Sequence, residues 1–537
     1  MPLTPIFMFA IQRRPDDPKS GGRTTLEDIQ MLAARSRAVQ ALLGHLVPAS
    51  DGSGFLFDSK MKSRVLETAL VLHILQKNSI EPEWQQKLRS FLAENTESAD
   101  VFSATVARTA HPALLKDGTI SSVHSFGLNR MLGALQYAKN RKRVLLGTIL
   151  AEVGAVPFEA VAVNPDRCAD EAVHLFSRLY MAAMKIIYHR RKRSFANLER
   201  EIAFLADHQD QNGGWEQQAL ITIAVLLALG PRHASFKKGL QFLESLTRED
   251  GGVAFCDNLN LWTTSLAGIA LLKSEEINDA VLHRVADYIV ARQQENGGWA
   301  FSEGVKQTDT DSSAQCAQML LQLDPEKYKE PIARAQDYFL RLHRPDGGYP
   351  TYEALGDSEV TMTANIVLVQ ALGLDKRPEL REPILRALDF IRARQKIDGT
   401  FERSWSLCET YSIFRVNLAM NGCRAIDDEE ASGETQRKSI EYLLGNQHED
   451  GGWGQTSGKP SDALSTAYGL MSLALLRRKV SHDRIWMAVN FLLTQQAEET
   501  GEFVSVPDVV GPRPLVFNIP LLATIFPVMA LRIVEQI

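Results

Sequence analysis

Gln293-Gln294-Glu295-Asn296-Gly297-Gly298-Trp299 is one copy of a turn that recurs along the chain. Gln211-Asn212-Gly213-Gly214-Trp215 and Glu249-Asp250-Gly251-Gly252-Val253 precede it. Pro345-Asp346-Gly347-Gly348-Tyr349, Ile397-Asp398-Gly399-Thr400-Phe401 and Glu449-Asp450-Gly451-Gly452-Trp453 follow. The copies stand about 40 to 50 residues apart, which marks a repeat architecture. Asp or Asn ahead of paired glycines stops a helix, because glycine enters left-handed backbone conformations cheaply. A glutamine leads several copies, at Gln209, Gln293 and Gln447.

Between the turns the period is helical. Leu220 to Leu229, Leu266 to Leu272, Ala314 to Leu323, Ala364 to Leu372 and Ala463 to Leu476 are rich in Ala, Leu and Met, with apolar residues at i, i+3 and i+4. Strand-like alternation is scarce. Helix hairpins of this period, stacked and closed on themselves, make an α/α barrel. Residues 55 to 200 are less regular, with helices read at Arg64–Leu75 and Arg143–Ala151. The reading is all-α, a double α/α barrel, since 537 residues exceed one ordinary core.

A net charge of −6 leaves no overall footprint for nucleic acid or an acidic membrane. Two basic clusters run against it: Lys139, Arg141, Lys142 and Arg143, then Arg190, Arg191, Lys192 and Arg193. Each is read as a solvated helix face, with an anionic-ligand rim as the alternative. Cys168, Cys256, Cys316, Cys408 and Cys423 are scattered without CxxC spacing, so they read as small core residues in a reducing compartment. The apolar stretch Ile6 to Ile11 precedes Arg13 and Arg14, the wrong order for a signal peptide. The run from Leu515 to Leu531 is broken by Asn518, Pro520 and Pro527, short of the roughly 18 apolar residues of a spanning helix. The expected location is the cytoplasm, with no transmembrane segment.

The turns Gln293 to Trp299 and Gln447 to Trp453 fit the QxxxGGW form, and the chain resembles the squalene–hopene cyclase and class II diterpene cyclase superfamily. Ten residues after Trp299 comes Asp309-Thr310-Asp311-Ser312-Ser313-Ala314, similar to the DxDD(T/S)A catalytic motif of class II cyclases. The resemblance assigns the general acid to Asp311 and places Asp309 beside it. Ser312 stands where the last Asp of the motif is expected. A solvated helix cap is the plainer reading of the same residues.

The pair suits the chemistry. Protonating an alkene requires an acid that still holds its proton near neutral pH, whereas a free Asp titrates near about 3.9. Burial and a neighbouring carboxylate both favour the neutral form. Aromatic faces then shelter carbocations, for which Tyr349, Trp405, Tyr411 and Tyr468 are candidates, each with core packing as the plainer role.

The resemblance implies a βγ didomain: a β barrel from residues 1–45 plus 276–537, and a γ barrel at 46–275 inserted after the first helix. It implies a linear prenyl diphosphate, farnesyl or geranylgeranyl, converted to a bicyclic drimane- or labdane-type diphosphate. The variant motif with Ser312 leans toward the farnesyl, drimane-forming branch. Arg513 in Gly511-Pro512-Arg513-Pro514 is a candidate for the diphosphate, with Arg64 and Lys306 behind it. Members commonly need Mg²⁺, for which Glu159 is the candidate ligand. A homodimer is compatible with this reading. The DDxxD motif of ionisation-type synthases is absent, and Asp427-Asp428-Glu429-Glu430 reads as a solvated loop.

Three alternatives compete. A squalene or triterpene cyclase shares the motif. A protein prenyltransferase β subunit shares the barrel, but Thr410 stands where its zinc-ligand Cys belongs, and Ser461 to Tyr468 lacks the His. A non-catalytic α/α-barrel binding module of the complement type would carry a thioester sequence, which is not seen.

Overall fold

The computed structural model describes residues 25–536 apart from 113–138, 156, 162–163, 168–172, 195–196, 353–355, 477–479 and 512–514. The helices that build its two rings, with the first helix, are α1 (Leu26–Leu43), α2 (Val65–Asn78), α3 (Val101–Ala110), α4 (Lys139–Glu152), α5 (Leu175–Lys192), α6 (Ala219–Leu229), α7 (Asn260–Leu271), α8 (Thr310–Leu323), α9 (Val360–Leu372), α10 (Glu409–Gly422), α11 (Ala463–Leu475) and α12 (Leu522–Glu535).

Helices α7 to α12 pack each on the next, and α12 returns onto α7, closing an inner ring of six. An outer layer covers it: Asp279–Val290, Lys329–Leu342, Arg381–Ala393, Glu429–Asn446 and His482–Thr494, with α1 against α12. The apolar stretches read from the sequence are inner helices. Enclosed on every side, they keep almost no polar face; in α6 ten of the eleven residues are buried. The outer helices are amphipathic instead. Ring membership begins at Asn260, upstream of the expected β-barrel start at 276.

The other ring runs α3–α2–α6–α5–α4 by packing contacts among the described residues. Among the described residues three two-stranded antiparallel sheets trim the helices: Leu46–Pro48 with Phe55–Phe57, Ser63–Arg64 with Val253–Ala254, and Val509–Val510 with Val516–Phe517.

The repeated turns staple this arrangement. Trp299 Nε1 donates to Ile289 O at 2.7 Å, and Trp215 and Trp453 do the same to Leu205 and Leu443. Gln293 Nε2 donates to Gly297 O inside its turn and to Pro331 O of the next outer helix, both at 2.8 Å. Gly297 has φ +87°, and a Cβ there would lie 2.4 Å from Arg334 O of that same helix. Only glycine permits both the turn and the approach. A degenerate copy that the sequence pattern hides lies at Gln496 to Phe503. Gln496 Nε2 donates to Gly501 O at 2.9 Å and to Ala34 O at 2.8 Å. Helix α1 therefore takes the place of a next outer helix and closes the outer layer.

Candidate active site

Turn aromatics are latched to the starts of inner helices, and one such latch places the acid motif. The amides of Asp309, Glu359 and Asp462 donate to the carbonyls of Trp299, Tyr349 and Trp453 at 3.0, 2.9 and 3.0 Å. Asp309 then caps α8: its Oδ1 accepts from Ser312 N at 2.7 Å and its Oδ2 from Ser312 Oγ at 2.9 Å. Asp462 caps α11 through Ser465 in the same way, at 2.8 and 2.7 Å. The Asp-Ser cap is thus a property of the repeat. Two positions past the cap, other inner helices carry Thr361, Thr410 and Leu464; only α8 among these places a carboxylate there, Asp311.

Asp311 faces a cavity of about 340 Å³ lined from both rings, within the roughly 300–1,000 Å³ of ligand pockets. Its remaining accessible surface is the cavity's own, since protein encloses the carboxyl otherwise. Oδ1 accepts from Asn365 Nδ2 at 2.8 Å and Gln315 Nε2 at 3.2 Å. Arg415 Nε donates to Asn365 Oδ1. A guanidinium cannot accept, so the Asn365 amide nitrogen must face Asp311. With Oδ1 occupied by two donors, a proton on this carboxyl resides on Oδ2.

Burial pushes the Asp311 carboxyl up, against Arg415 and the donors Gln315 and Asn365. Burial also pushes Asp309 up to about 7; neighbouring Asp311 adds to the rise and Ser312 opposes it. The two carboxyls are thus electrostatically coupled. Ser312, in the place of the motif's last Asp, supplies hydrogen bonds to Asp309 and no charge.

Aromatic rings form the rest of the wall. Tyr468 lies 4.9 Å from Tyr411 and 4.7 Å from Phe526, ring centre to ring centre. Tyr352 stacks on His174 at 4.3 Å and meets Trp405 edge-on at 6.1 Å. His174 is held down to about 3 by burial and by the Arg141 and Lys142 charges, so its ring stays neutral. Arg141 and Lys142, from α4, line the cavity. This corrects their reading as a solvated face; the other cluster fits that reading, with Arg191 pairing Glu152 at 2.8 Å.

The structure brings together Asp309, Asp311, Ser312, Trp405, Tyr411 and Tyr468 on the cavity. Three expected substrate contacts fall elsewhere. Tyr349 is core, its hydroxyl bonded to Gln370 Oε1 at 3.3 Å, because the turn aromatic is the staple itself. Lys306 is exposed and pairs with Asp210 at 2.9 Å. Arg64 pairs with Glu67 at 2.8 Å and covers the Phe517 ring at 4.2 Å, behind the cavity wall. Arg513 lies outside the described residues. Glu159 is exposed on the short helix Phe158–Val161 and does not line the cavity, and no three His, Cys, Asp or Glu gather as a metal site among the described residues. Sequence reasoning missed Glu359, Asn365, Arg415 and Asp508. Glu359 had a signal: it follows Tyr349 by the same ten residues that separate Asp309 from Trp299.

Comparison with known proteins agrees with this geometry. The squalene-hopene cyclase C-terminal domain family matches residues 349–535, and the prenyltransferase alpha-alpha toroid domain family matches residues 238–412. Drimenyl diphosphate synthase of Streptomyces showdoensis is 31% identical over 510 residues, 91% of this chain and 93% of that protein. Drimenyl diphosphate synthase of Streptantibioticus cattleyicolor is 31% identical over 530 residues, 94% and 95% of the two chains. The solved ent-copalyl diphosphate synthase from Streptomyces platensis shares the fold at 14% identity, with a TM-score of 0.59 over 95% of this chain and 99% of that one.

An acid pair raised by burial, in an aromatic cavity of a double α/α barrel, defines a protonating cyclase. The chain belongs to the class II terpene cyclases, in the family of the bacterial drimenyl diphosphate synthases. Among the described residues no helix is long and apolar enough to cross a membrane.

Proposed function

We propose that this enzyme cyclises farnesyl diphosphate to a drimane-type bicyclic diphosphate and keeps the diphosphate ester. The observation that carries the reading is one cavity with two chemistries: Asp311 from one ring, Arg141 and Lys142 from the other. The relatives' names support the same substrate class.

Asp311 Oδ2 delivers its proton to the terminal alkene. Two ring closures follow, each using one π bond to form a C–C bond and passing the cation along the chain. Tyr411, Tyr468 and Phe526 line the cavity, where aromatic rings stabilise such a cation. Loss of one proton then restores an alkene, so the reaction is an isomerisation with one proton in and one out. Arg141 and Lys142 hold the diphosphate by charge. Mg²⁺, when bound, would supply counter-charge to the substrate head group. A cytoplasmic site suits the four described cysteines, all buried and free.

Incubation with farnesyl diphosphate, geranylgeranyl diphosphate and squalene tests this. The expected product is a bicyclic alcohol that appears only after phosphatase treatment. A preference for squalene, or a free alcohol without phosphatase, overturns the reading. Excess chelator is expected to weaken substrate binding.

A further inference from the structure

The cation that Asp311 creates must finally lose a proton within the cavity, and that step needs a base on the cavity wall. Glu359 occupies in its repeat the place that Asp309 and Asp462 hold in theirs, by the shared latch to the turn aromatic. Those two spend their carboxyls on helix caps. Glu359, one methylene longer, makes no side-chain cap bond on α9; Glu402 Oε1 takes the first amide instead, from Val360 N at 2.8 Å. Glu359 is thereby released from the cap, and it lines the cavity at 7% exposure.

Its hydrogen bonding has a fixed direction. Thr351 Oγ1 bonds Glu359 Oε1, and Trp405 Nε1 donates to the same Thr351 oxygen at 3.0 Å. An indole N–H only donates, so the Thr351 hydroxyl proton is left to point at Glu359. A carboxyl fed by a donor is favoured as the carboxylate. The segment also reaches the cationic side of the cavity: Tyr352, next to Thr351, stacks on His174, which feels Arg141 and Lys142. In a drimane skeleton the last cationic carbon lies two bonds from the carbon that bears the diphosphate.

Resting on the function proposed above, we infer that Glu359 is the terminating base. Its carboxylate takes a proton from a carbon beside the last cationic centre; the C–H electron pair becomes the ring alkene; the proton leaves Glu359 to water after product release. Burial pushes Glu359 up to about 7, Glu402 adding and Thr351 opposing, which makes it a stronger base than an exposed carboxylate. Asp309 is less suited, both oxygens being bound by Ser312. Asp508 also lines the cavity, but its Oδ1 accepts from Ser406 Oγ, Leu407 N and Cys408 Sγ, toward the Ser465 side.

The test is product analysis of E359Q, T351V and D508N beside wild type, on farnesyl diphosphate, with melting curves. E359Q is expected to consume substrate within about tenfold of wild type, while the native alkene falls at least about tenfold in favour of isomeric alkenes and a water-captured diol after phosphatase. T351V, which keeps the carboxylate but removes its donor, is expected to give a smaller shift of the same kind, and it carries the test if E359Q does not fold. Native product in wild-type proportion from E359Q, or the shift arising in D508N alone, overturns the assignment. Wild type that leaves farnesyl diphosphate unchanged overturns the substrate reading instead, so the two failures are distinct.

Discussion

Asn365 holds Asp311 by one oxygen: its Nδ2 donates to Asp311 Oδ1 at 2.8 Å while its own Oδ1 accepts from Arg415 Nε. The amide stands between a buried cation and the acid. Direct pairing with Arg415 would pin Asp311 as carboxylate; through Asn365, the guanidinium orients the acid and leaves Oδ2 to the cavity. Asp311→Asn keeps the shape and loses the proton, so cyclisation is expected to fall by about 10³-fold or more with an unchanged melting temperature. Asn365→Ala is expected to lose about a hundredfold, because it removes a donor and lets Arg415 draw on the carboxylate. Single-turnover assays of both variants check this; turnover near wild type for Asp311→Asn would remove the acid assignment.

The pH profile has a determined sign. Turnover needs the proton on Asp311, and burial raises both carboxyls of the pair, Asp309 to about 7. Activity is therefore expected to hold where Asp311 keeps its proton and to fall as rising pH removes it. Burial raises Asp311, and the groups facing it, Arg415, Gln315, Asn365 and Trp262, lower it. Asp309→Asn removes the neighbouring negative charge that helps Asp311 keep its proton, so its alkaline fall should move to lower pH. Stability follows the same sign, since a raised carboxyl contributes fully below its unfolded value and loses that contribution as pH passes its folded value. A kcat/KM profile of wild type and variant shows the displacement; a limb that moves to higher pH contradicts it.

Arg141→Ala and Lys142→Ala test the head-group side. Loss of one charge-assisted contact to phosphate is worth about 1.5–3 kcal/mol, hence roughly a 10- to 100-fold rise in KM with kcat nearly held. Raised salt should weaken substrate binding to wild type more than to either variant. KM values unchanged in both would place the diphosphate elsewhere in the cavity.

The barrel and its acid were legible because both are written in local spacing. Gly-Gly-aromatic turns announce the staples, and the distance from Trp299 to Asp309 is set by the latch that starts α8. The cationic side of the cavity was less legible because it is assembled between rings: Arg141 sits in a run of like charges that reads as a solvated face until α4 is placed on the cavity. Turn aromatics misled for the opposite reason. Tyr349 belongs to the motif and so serves the fold, whereas Trp405 and Tyr411 lie outside the turns and reach the cavity. The closing turn at Gln496 escaped notice since Ala497-Glu498-Glu499-Thr500 replaces the usual residues before Gly501, and the Gly-Gly pair is lost.

That closing turn gives a stability prediction far from the chemistry. Gln496 Nε2 serves Ala34 O and Gly501 O, and its Oε1 accepts from Arg37 Nη2 at 2.9 Å. Gly501, at φ +75°, would bring a Cβ to 2.6 Å from Arg37 O. Both residues thus fasten α1 to the turn before α12, joining the first helix to the end of the chain. Gln496→Ala leaves Gly501 O without its donor and strips Ala34 O of the bond it accepts beyond its helical one, a cost of about 1–3 kcal/mol before water or relaxation compensates. Gly501→Ala adds backbone strain to a clash with backbone, where the neighbour cannot rotate aside. Both variants are expected to melt lower and to release α1 first, seen as early amide exchange across Leu26–Leu43 while the inner ring stays protected. Gln293→Ala, in a turn joining two consecutive outer helices, is expected to lower melting without exposing α1. Equal protection of α1 in Gln496→Ala and wild type would show that the helix is held by its other contacts, the packing on α12 and the Arg35 ion pairs.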